Sequence, residues 1–215
     1  VAPHFILASG SPRRRELLEQ AGYEFEVVLP AIAEISDTWF TARETTICNA
    51  TRKALEAARR SPNAVVLGAD TVVALDGEVI GKPRDLAHAQ ELLARLSGRS
   101  HEVRTAVFIC HLARGQVHSF EEISEVRFRA LDRAGIKRYL AKIDPLDKAG
   151  AYAAQGHGAE IIERIKGSYS NVVGLPIEAT ARILSSFGVE SRRGPTGPDG
   201  PPASRVLARD KGTRR

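Results

Sequence analysis

No run of about 18 apolar residues, the length a helix needs to cross a bilayer, occurs in this 215-residue sequence. Val1 to Ser9 is a short apolar run without a basic leader, so neither a membrane span nor a signal peptide is expected. Cysteine is scarce as well. Cys48 and Cys110 are the only two, far apart and outside any C-x-x-C pattern, which fits reduced structural thiols better than a redox or zinc site and excludes a disulfide-stapled miniprotein. The expected compartment is the cytoplasm. Other absences narrow the chemistry: without H-x-x-x-H, H-E-x-x-H or G-x-S-x-G, a zinc or serine hydrolase has no footing, and the six scattered histidines are read as surface or packing residues. Gly77 to Lys82 has the look of a phosphate loop, but three residues rather than four separate its glycines and Pro83 stands where a Ser or Thr would bind Mg2+.

With 43% apolar and 27% charged residues, the chain is globular, long enough for one large core or for two small lobes sharing a sheet. Its pI near 9.5 invites a nucleic-acid reading, which the distribution of charge removes. Residues 191 to 215 carry seven Lys/Arg against two Asp, leaving 24 basic and 24 acidic residues in positions 1 to 190. The body is neutral. The segment from 191 also holds four Pro and four Gly with few large apolar side chains, so it is expected to be a disordered basic tail behind a single domain of residues 1 to 190. No specific nucleic-acid partner and no membrane partner are expected. A basic RNA-binding module is further disfavoured because no aromatic-rich RNP-like strand is visible.

The body alternates strand and helix patterns, the α/β signature. His4 to Ala8 is a short strand running into Ser9-Gly10-Ser11-Pro12, where Ser11 can cap and Pro12 can open a helix ending at Gly22. A second strand is expected over Phe25 to Leu29, and a long helix over about Thr41 to Arg60, with Ala50, Ala54, Leu55 and Ala58 on one side. Ala64 to Leu75 is the most apolar stretch, interrupted at Gly68-Ala69-Asp70-Thr71 and returned by an Asp76-Gly77 hairpin turn. Asp85 to Leu96 is a helix with Leu86, Ala89, Leu92, Leu93 and Leu96 on one face. Two long strands follow, about Glu102 to Ala113 and Gln116 to Ala130, then a helix near Asp132 to Lys142, glycine-punctuated strand and loop over Gly150 to Pro176, and a helix over Ile177 to Phe187.

Two places invite chemistry. The turn Ser9-Gly10-Ser11-Pro12-Arg13-Arg14 offers free N–H groups, a helix N-terminus, two hydroxyls and two guanidiniums, a combination suited to phosphate; a capped surface helix opening on solvated arginines explains it equally well. Asp70 follows an apolar strand, where a carboxylate is costly unless it meets a cation or strong donors. It is the leading candidate for a general base or a Mg2+ ligand, against a satisfied structural Asp in a turn. Glu34 is a second candidate carboxylate, and Lys53 and Lys82 could each neutralise phosphate.

Together these stretches closely resemble the Maf family of nucleoside triphosphate pyrophosphatases. The resemblance runs through Leu7-Ala8-Ser9-Gly10-Ser11-Pro12-Arg13-Arg14, Gly68-Ala69-Asp70-Thr71-Val72-Val73, Gly81-Lys82-Pro83 and Leu96-Ser97-Gly98-Arg99-Ser100-His101-Glu102-Val103. It continues through Asp147-Lys148-Ala149-Gly150-Ala151-Tyr152, Gln155-Gly156 and Ile165-Lys166-Gly167-Ser168-Tyr169-Ser170-Asn171-Val172-Val173-Gly174-Leu175-Pro176. It implies an α/β fold like that of Maf and inosine-triphosphate pyrophosphatases, an elongated mixed sheet flanked by helices whose two lobes enclose a nucleotide cleft. It also implies a divalent metal, Mg2+ or Mn2+, for which Asp70 and the candidate carboxylate Glu34 are the expected ligands from the residues themselves, and cleavage between the α- and β-phosphates of a nucleoside triphosphate. The family's proton acceptor falls on Asp70 and its substrate-discriminating positions on Arg13, Thr71 and Gln155, with phosphate contacts expected from Ser9, Ser11, Arg13, Arg14, Lys53 and Lys82. Arg, Thr and Gln at those three positions resemble the branch acting on dTTP and UTP; the alternatives are the branch acting on 7-methyl-GTP or other modified nucleotides, and a division-linked nucleotide-binding regulator without turnover. A homodimer is the assembly compatible with the resemblance.

Overall fold

The computed structural model describes residues 3–36 and 39–193. In chain order the elements are β1 (Phe5–Ala8), α1 (Pro12–Gln20), β2 (Glu26–Val28), α2 (Ala42–Arg60), β3 (Val65–Leu75), β4 (Glu78–Ile80) and α3 (Leu86–Leu96). They are followed by β5 (Ser100–His111), β6 (Gln116–Phe128), α4 (Arg133–Leu140), β7 (Ile162–Lys166), α5 (Tyr169–Val173) and α6 (Ile177–Ser186). The seven strands form one mixed sheet in the order β2-β1-β3-β5-β6-β7, with β4 also paired to β3. β1 runs parallel to both β2 and β3, and the remaining pairings are antiparallel.

Alternation along β3 divides the core. Val65, Leu67 and Ala69 pack with Leu17 and Leu18 of α1 and Leu184 of α6, while Val73 and Leu75 pack with Leu92 and Leu93 of α3 and Tyr139 of α4. The opposite face, through Val66, meets Ala54, Ala57 and Ala58 of α2. Two apolar clusters thus share one face of one strand, and α2 packs on the other. Asp85 and Asp132 cap α3 and α4 by accepting from the His88 and Gly135 N–H groups at 2.8 and 2.6 Å.

Several expectations need correction. Gly68-Ala69-Asp70-Thr71 does not interrupt β3, because nine consecutive residues, Val66 to Ala74, are paired with β5 and hold the segment extended. Leu86 leaves the stripe of α3 and is 56% exposed, since the first turn stands clear of the core. The stretch after Gly150 contains the expected strand, β7, but also a short helix, α5, where loop was expected. The body also continues past residue 190: Ser191 Oγ, the Arg192 N–H and Arg193 Nη1 donate to the carbonyls of Ala21, Gly22 and Gln20 at 2.6, 3.0 and 2.8 Å. These carbonyls end α1 and need partners. The rest of the expected basic tail, 194–215, lies outside the described residues.

Cys110 is buried and burial pushes its thiol up to about 11, whereas Cys48 is half-buried; both are free. Among the described residues no helix is long and apolar enough to cross a membrane. His101, buried between Phe128 and Tyr152, is pulled down to about 4 by desolvation and shares a 2.8 Å hydrogen bond with the Tyr152 hydroxyl, so it is a neutral packing residue.

Helix α2 approaches the sheet closely at Gly68. A Cβ there would lie 2.4 Å from the Ala50 carbonyl oxygen and 2.7 Å from the Ala54 nitrogen, both backbone atoms of α2. Gly68→Ala is therefore expected to lower stability by about 1–3 kcal/mol, measured by urea denaturation. An unchanged midpoint would show that α2 does not rest on this strand.

Candidate active site

The site begins with a gap in the sheet. β1 ends opposite Gly68 and β4, running antiparallel, ends opposite Val73, so residues 69 to 72 of β3 have no strand on that edge. A cavity of about 880 Å3 opens there, lined from both sides of the gap. Asp70 and Thr71 occupy the bare stretch and, being adjacent in a strand, project to opposite faces.

On the Asp70 face, α2 supplies the partners. Its start is fixed by a capping box, in which the Glu44 N–H donates to Thr41 Oγ1 at 3.2 Å and the Thr41 N–H to Glu44 Oε2 at 2.8 Å. From that register Thr45, Asn49 and Lys53, four residues apart, form one buried polar stripe along a helix otherwise anchored by alanines. Lys53 Nζ lies 2.7 Å from Asp70 Oδ1, with the two side chains only 7% and 9% exposed, and 2.6 Å from Glu34 Oε1. Asn49 Nδ2 donates to Asp70 Oδ2 at 3.3 Å, while its own amide is clamped to the Ile35 backbone at 2.8 and 3.0 Å. One ammonium thus bridges two carboxylates, and the loop carrying Glu34 is tied to the same helix. Burial opposes ionisation of Glu34, but Lys53, Lys82 and Arg14 outweigh it and hold its pKa below the usual carboxylate value.

The Thr71 face is organised by Arg14. Its Nε donates to the Gly174 carbonyl at 2.9 Å, Nη1 to Ser9 Oγ at 3.3 Å and Nη2 to Thr71 Oγ1 at 2.9 Å. Burial lowers its pKa, and the Asp70 and Glu34 carboxylates act against that shift. Thr71 Oγ1 also lies 2.9 Å from Thr105 Oγ1 and 3.3 Å from the Gly174 carbonyl, so its single hydrogen is used inside the protein. Three of the five N–H groups of Arg14 are thus used within the protein, where it braces α1, β3 and the turn after α5, while the residue still lines the cavity. Ser11 stands at the N-cap of α1, but its side chain makes no capping bond; its backbone N–H donates to Ser9 Oγ at 3.2 Å. No side chain caps α1, and its first turn faces the cavity, which leaves N–H donors for an anion.

The rim carries the remaining cations. Arg13 Nη1 lies 3.1 Å from Asp147 Oδ2, and Lys82 Nζ 4.0 Å from Glu34 Oε2. Gln155 is half-buried at the start of a 3-10 turn, Gly156–Glu160, and lines the same cavity. Every residue singled out from the sequence, from Ser9 to Gln155, therefore lines one space. Sequence reasoning missed Asn49 and Asp147. Asn49 was detectable as the middle of a polar stripe at helical spacing, whereas Asp147 opens one of the motifs of the resemblance but received no role, because it meets Arg13 only through the fold.

Carboxylates at the back of a cleft with cations around its rim suit an anionic ligand that arrives with a positive counter-ion, and a split mixed sheet presents them. The fold and site thus define an α/β protein with a cleft lined by carboxylates and cationic side chains. The chain belongs to the Maf family: it matches the family described as Maf-like protein over residues 4–187. It is 48% identical over 185 residues to a dTTP/UTP pyrophosphatase of Symbiobacterium thermophilum, covering 85% of this chain and 93% of that one. It is 44% identical over 183 residues to a dTTP/UTP pyrophosphatase of Bacillus cytotoxicus, covering 85% and 95%. Among solved structures, the Ham1 protein of Staphylococcus aureus is similar at a TM-score of 0.41 and 16% identity, over 58% of this chain and 71% of that one.

The lowered pKa of Glu34 fixes the sign of a pH effect. Its folded-state value lies below the unfolded one, so the stability it contributes is fully present above the ordinary carboxylate pKa and is lost as pH falls through the lowered value. Glu34→Gln is expected to lower the melting temperature at pH 7 and to converge with the parent at pH 3. A gap that stays constant across that range would mean the Lys53 contact contributes nothing through charge.

Proposed function

We propose that this protein hydrolyses dTTP and UTP to the nucleoside monophosphate and pyrophosphate. One observation carries the reading: the positions that the family resemblance marks, scattered from Ser9 to Gln155 in sequence, line a single cavity in a chain whose relatives bear the name dTTP/UTP pyrophosphatase. In this reading water attacks the α-phosphorus, the bond to the bridging oxygen of the β-phosphate breaks, and Asp70 accepts the proton that the water loses. Lys53 and Asn49 hold the Asp70 carboxylate in place from α2. Arg13, Lys82 and the open N-terminus of α1 bind phosphate oxygens. Ser9, Ser11 and Arg14 shape that end of the cleft, Arg14 from within the protein.

Asp70 and Glu34 fit a divalent cation. Both are hard oxygen donors lining one cavity, and a positive group already lies between them at 2.7 and 2.6 Å. They would hold Mg2+ or Mn2+, which when bound neutralises phosphate charge and polarises the phosphoryl oxygens. Two free cysteines fit a reducing compartment, so the cytoplasm is the proposed location.

Base selection is assigned to Gln155, with Thr71 and Arg13 acting beside it. Uracil and thymine present two carbonyls and one ring N–H, and a carboxamide matches that edge with one donor and one acceptor. Because the Thr71 hydroxyl is engaged by Arg14, its part in selection is to fix the guanidinium.

A panel of nucleoside triphosphates with Mg2+ or Mn2+, with products separated by chromatography, tests the reading. The expected result is monophosphate plus pyrophosphate, fastest from dTTP and UTP; faster hydrolysis of 7-methyl-GTP would reject the pyrimidine assignment, and no turnover would reject the enzyme. Asp70→Asn is expected to lower kcat by about 10²–10⁴-fold with the fold retained by circular dichroism. Gln155→Ala is expected to narrow the ratio of kcat/KM between UTP and ATP by about tenfold or more while leaving tripolyphosphate affinity unchanged, since an unmatched buried polar edge costs about 1–3 kcal/mol.

A further inference from the structure

Asp147 lies on the loop after α4, and its Oδ2 meets Arg13 Nη1 from the first turn of α1, a pair 134 positions apart in sequence. The carboxylate is also fixed from its own side. Lys148 Nζ contacts the other oxygen, Oδ1, and donates to the Asp144 carbonyl at 2.6 Å, so the loop presents Oδ2 to Arg13. Burial works against ionisation of Asp147, yet Lys148 and Arg13 hold its pKa below the ordinary value, and it is an anion at neutral pH. Both Arg13 and Asp147 line the cavity.

A guanidinium binds phosphate oxygens through the same N–H groups that it offers to a carboxylate. We propose that Asp147 is a positioning residue acting through Arg13: an internal anion that holds the guanidinium when the cleft is empty and that an incoming polyphosphate must displace. The inference rests on the reading of the cavity as a triphosphate site. Its consequence is a charge threshold. A triphosphate brings several negative charges to several cationic partners and can displace one carboxylate; a monophosphate brings fewer, so Asp147 recovers Arg13 as that product leaves.

The probe is inorganic tripolyphosphate, titrated calorimetrically into the full chain. Asp147 is half exposed, so Asp147→Asn should keep the fold, checked by an unchanged melting temperature. This variant is expected to bind tripolyphosphate about two- to fivefold more tightly than the parent, the scale of a partly exposed ion pair. In an Arg13→Gln background the same substitution is expected to bring no gain, and Asp147→Glu should restore parental affinity. Equal or weaker binding by Asp147→Asn overturns the inference, as does a gain that persists undiminished in the Arg13→Gln background, which would mark a diffuse field effect. A parent protein that binds tripolyphosphate but hydrolyses no nucleotide sinks the pyrophosphatase reading and leaves this one standing. A parent that binds no tripolyphosphate overturns it.

Discussion

The arrangement at the cleft depends on one close approach, that of α2 to β3 at Gly68. A helix can come this near a strand only where the strand has no Cβ and the helix presents small residues, here Ala50 and Ala54. Because Asp70 lies two residues beyond Gly68 on the same face, the helix residues one turn apart that straddle the contact, Asn49 and Lys53, fall on its carboxylate. The capping box at Thr41 sets the register of the helix and Gly68 sets its height. Once Lys53 is desolvated in that position its ammonium requires a counter-charge, and the buried Asp70 carboxylate requires it in turn, so removing Lys53 leaves a buried charge uncompensated.

Adjacent arginines show how finely the backbone sorts side chains of identical chemistry. Arg13 and Arg14 sit side by side in the first turn of α1, about 100° apart around the helix axis. Arg14 turns inward, where three protein acceptors take three of its five N–H donors. Arg13 remains on the rim with one carboxylate partner. The first is part of the framework that fixes Thr71, and the second is available for exchange.

Much of this was legible in the sequence where periodicity was strong. The apolar runs of β1, β5 and β6, the alanine side of α2 and the Asp-capped α3 all form close to where the pattern puts them. Asp70 stood out because a carboxylate at the end of an apolar run demands a partner. What could not be read is long-range. Gly, Asp and Thr look like a break in β3, and only pairing with β5 overrides that local preference. Ser11 has the composition of a cap, yet the hydroxyl of Ser9 takes its N–H instead. Ser191 to Arg193 look like the start of a polar tail, and the carbonyls at the end of α1 recruit them. The meeting of Arg13 and Asp147 has no local trace at all.

The bare edge of β3 has a mechanical meaning. From Ala69 to Val72 the strand is paired to β5 only, whereas before and after that stretch it is flanked on both sides. A ribbon supported on one side bends more easily than one supported on two, and the same strand belongs to both apolar clusters. Asp70 and Thr71 therefore lie on the stretch that joins the two clusters. The carboxylate proposed to carry the chemistry rides on a stretch of the central strand that is supported on one side only.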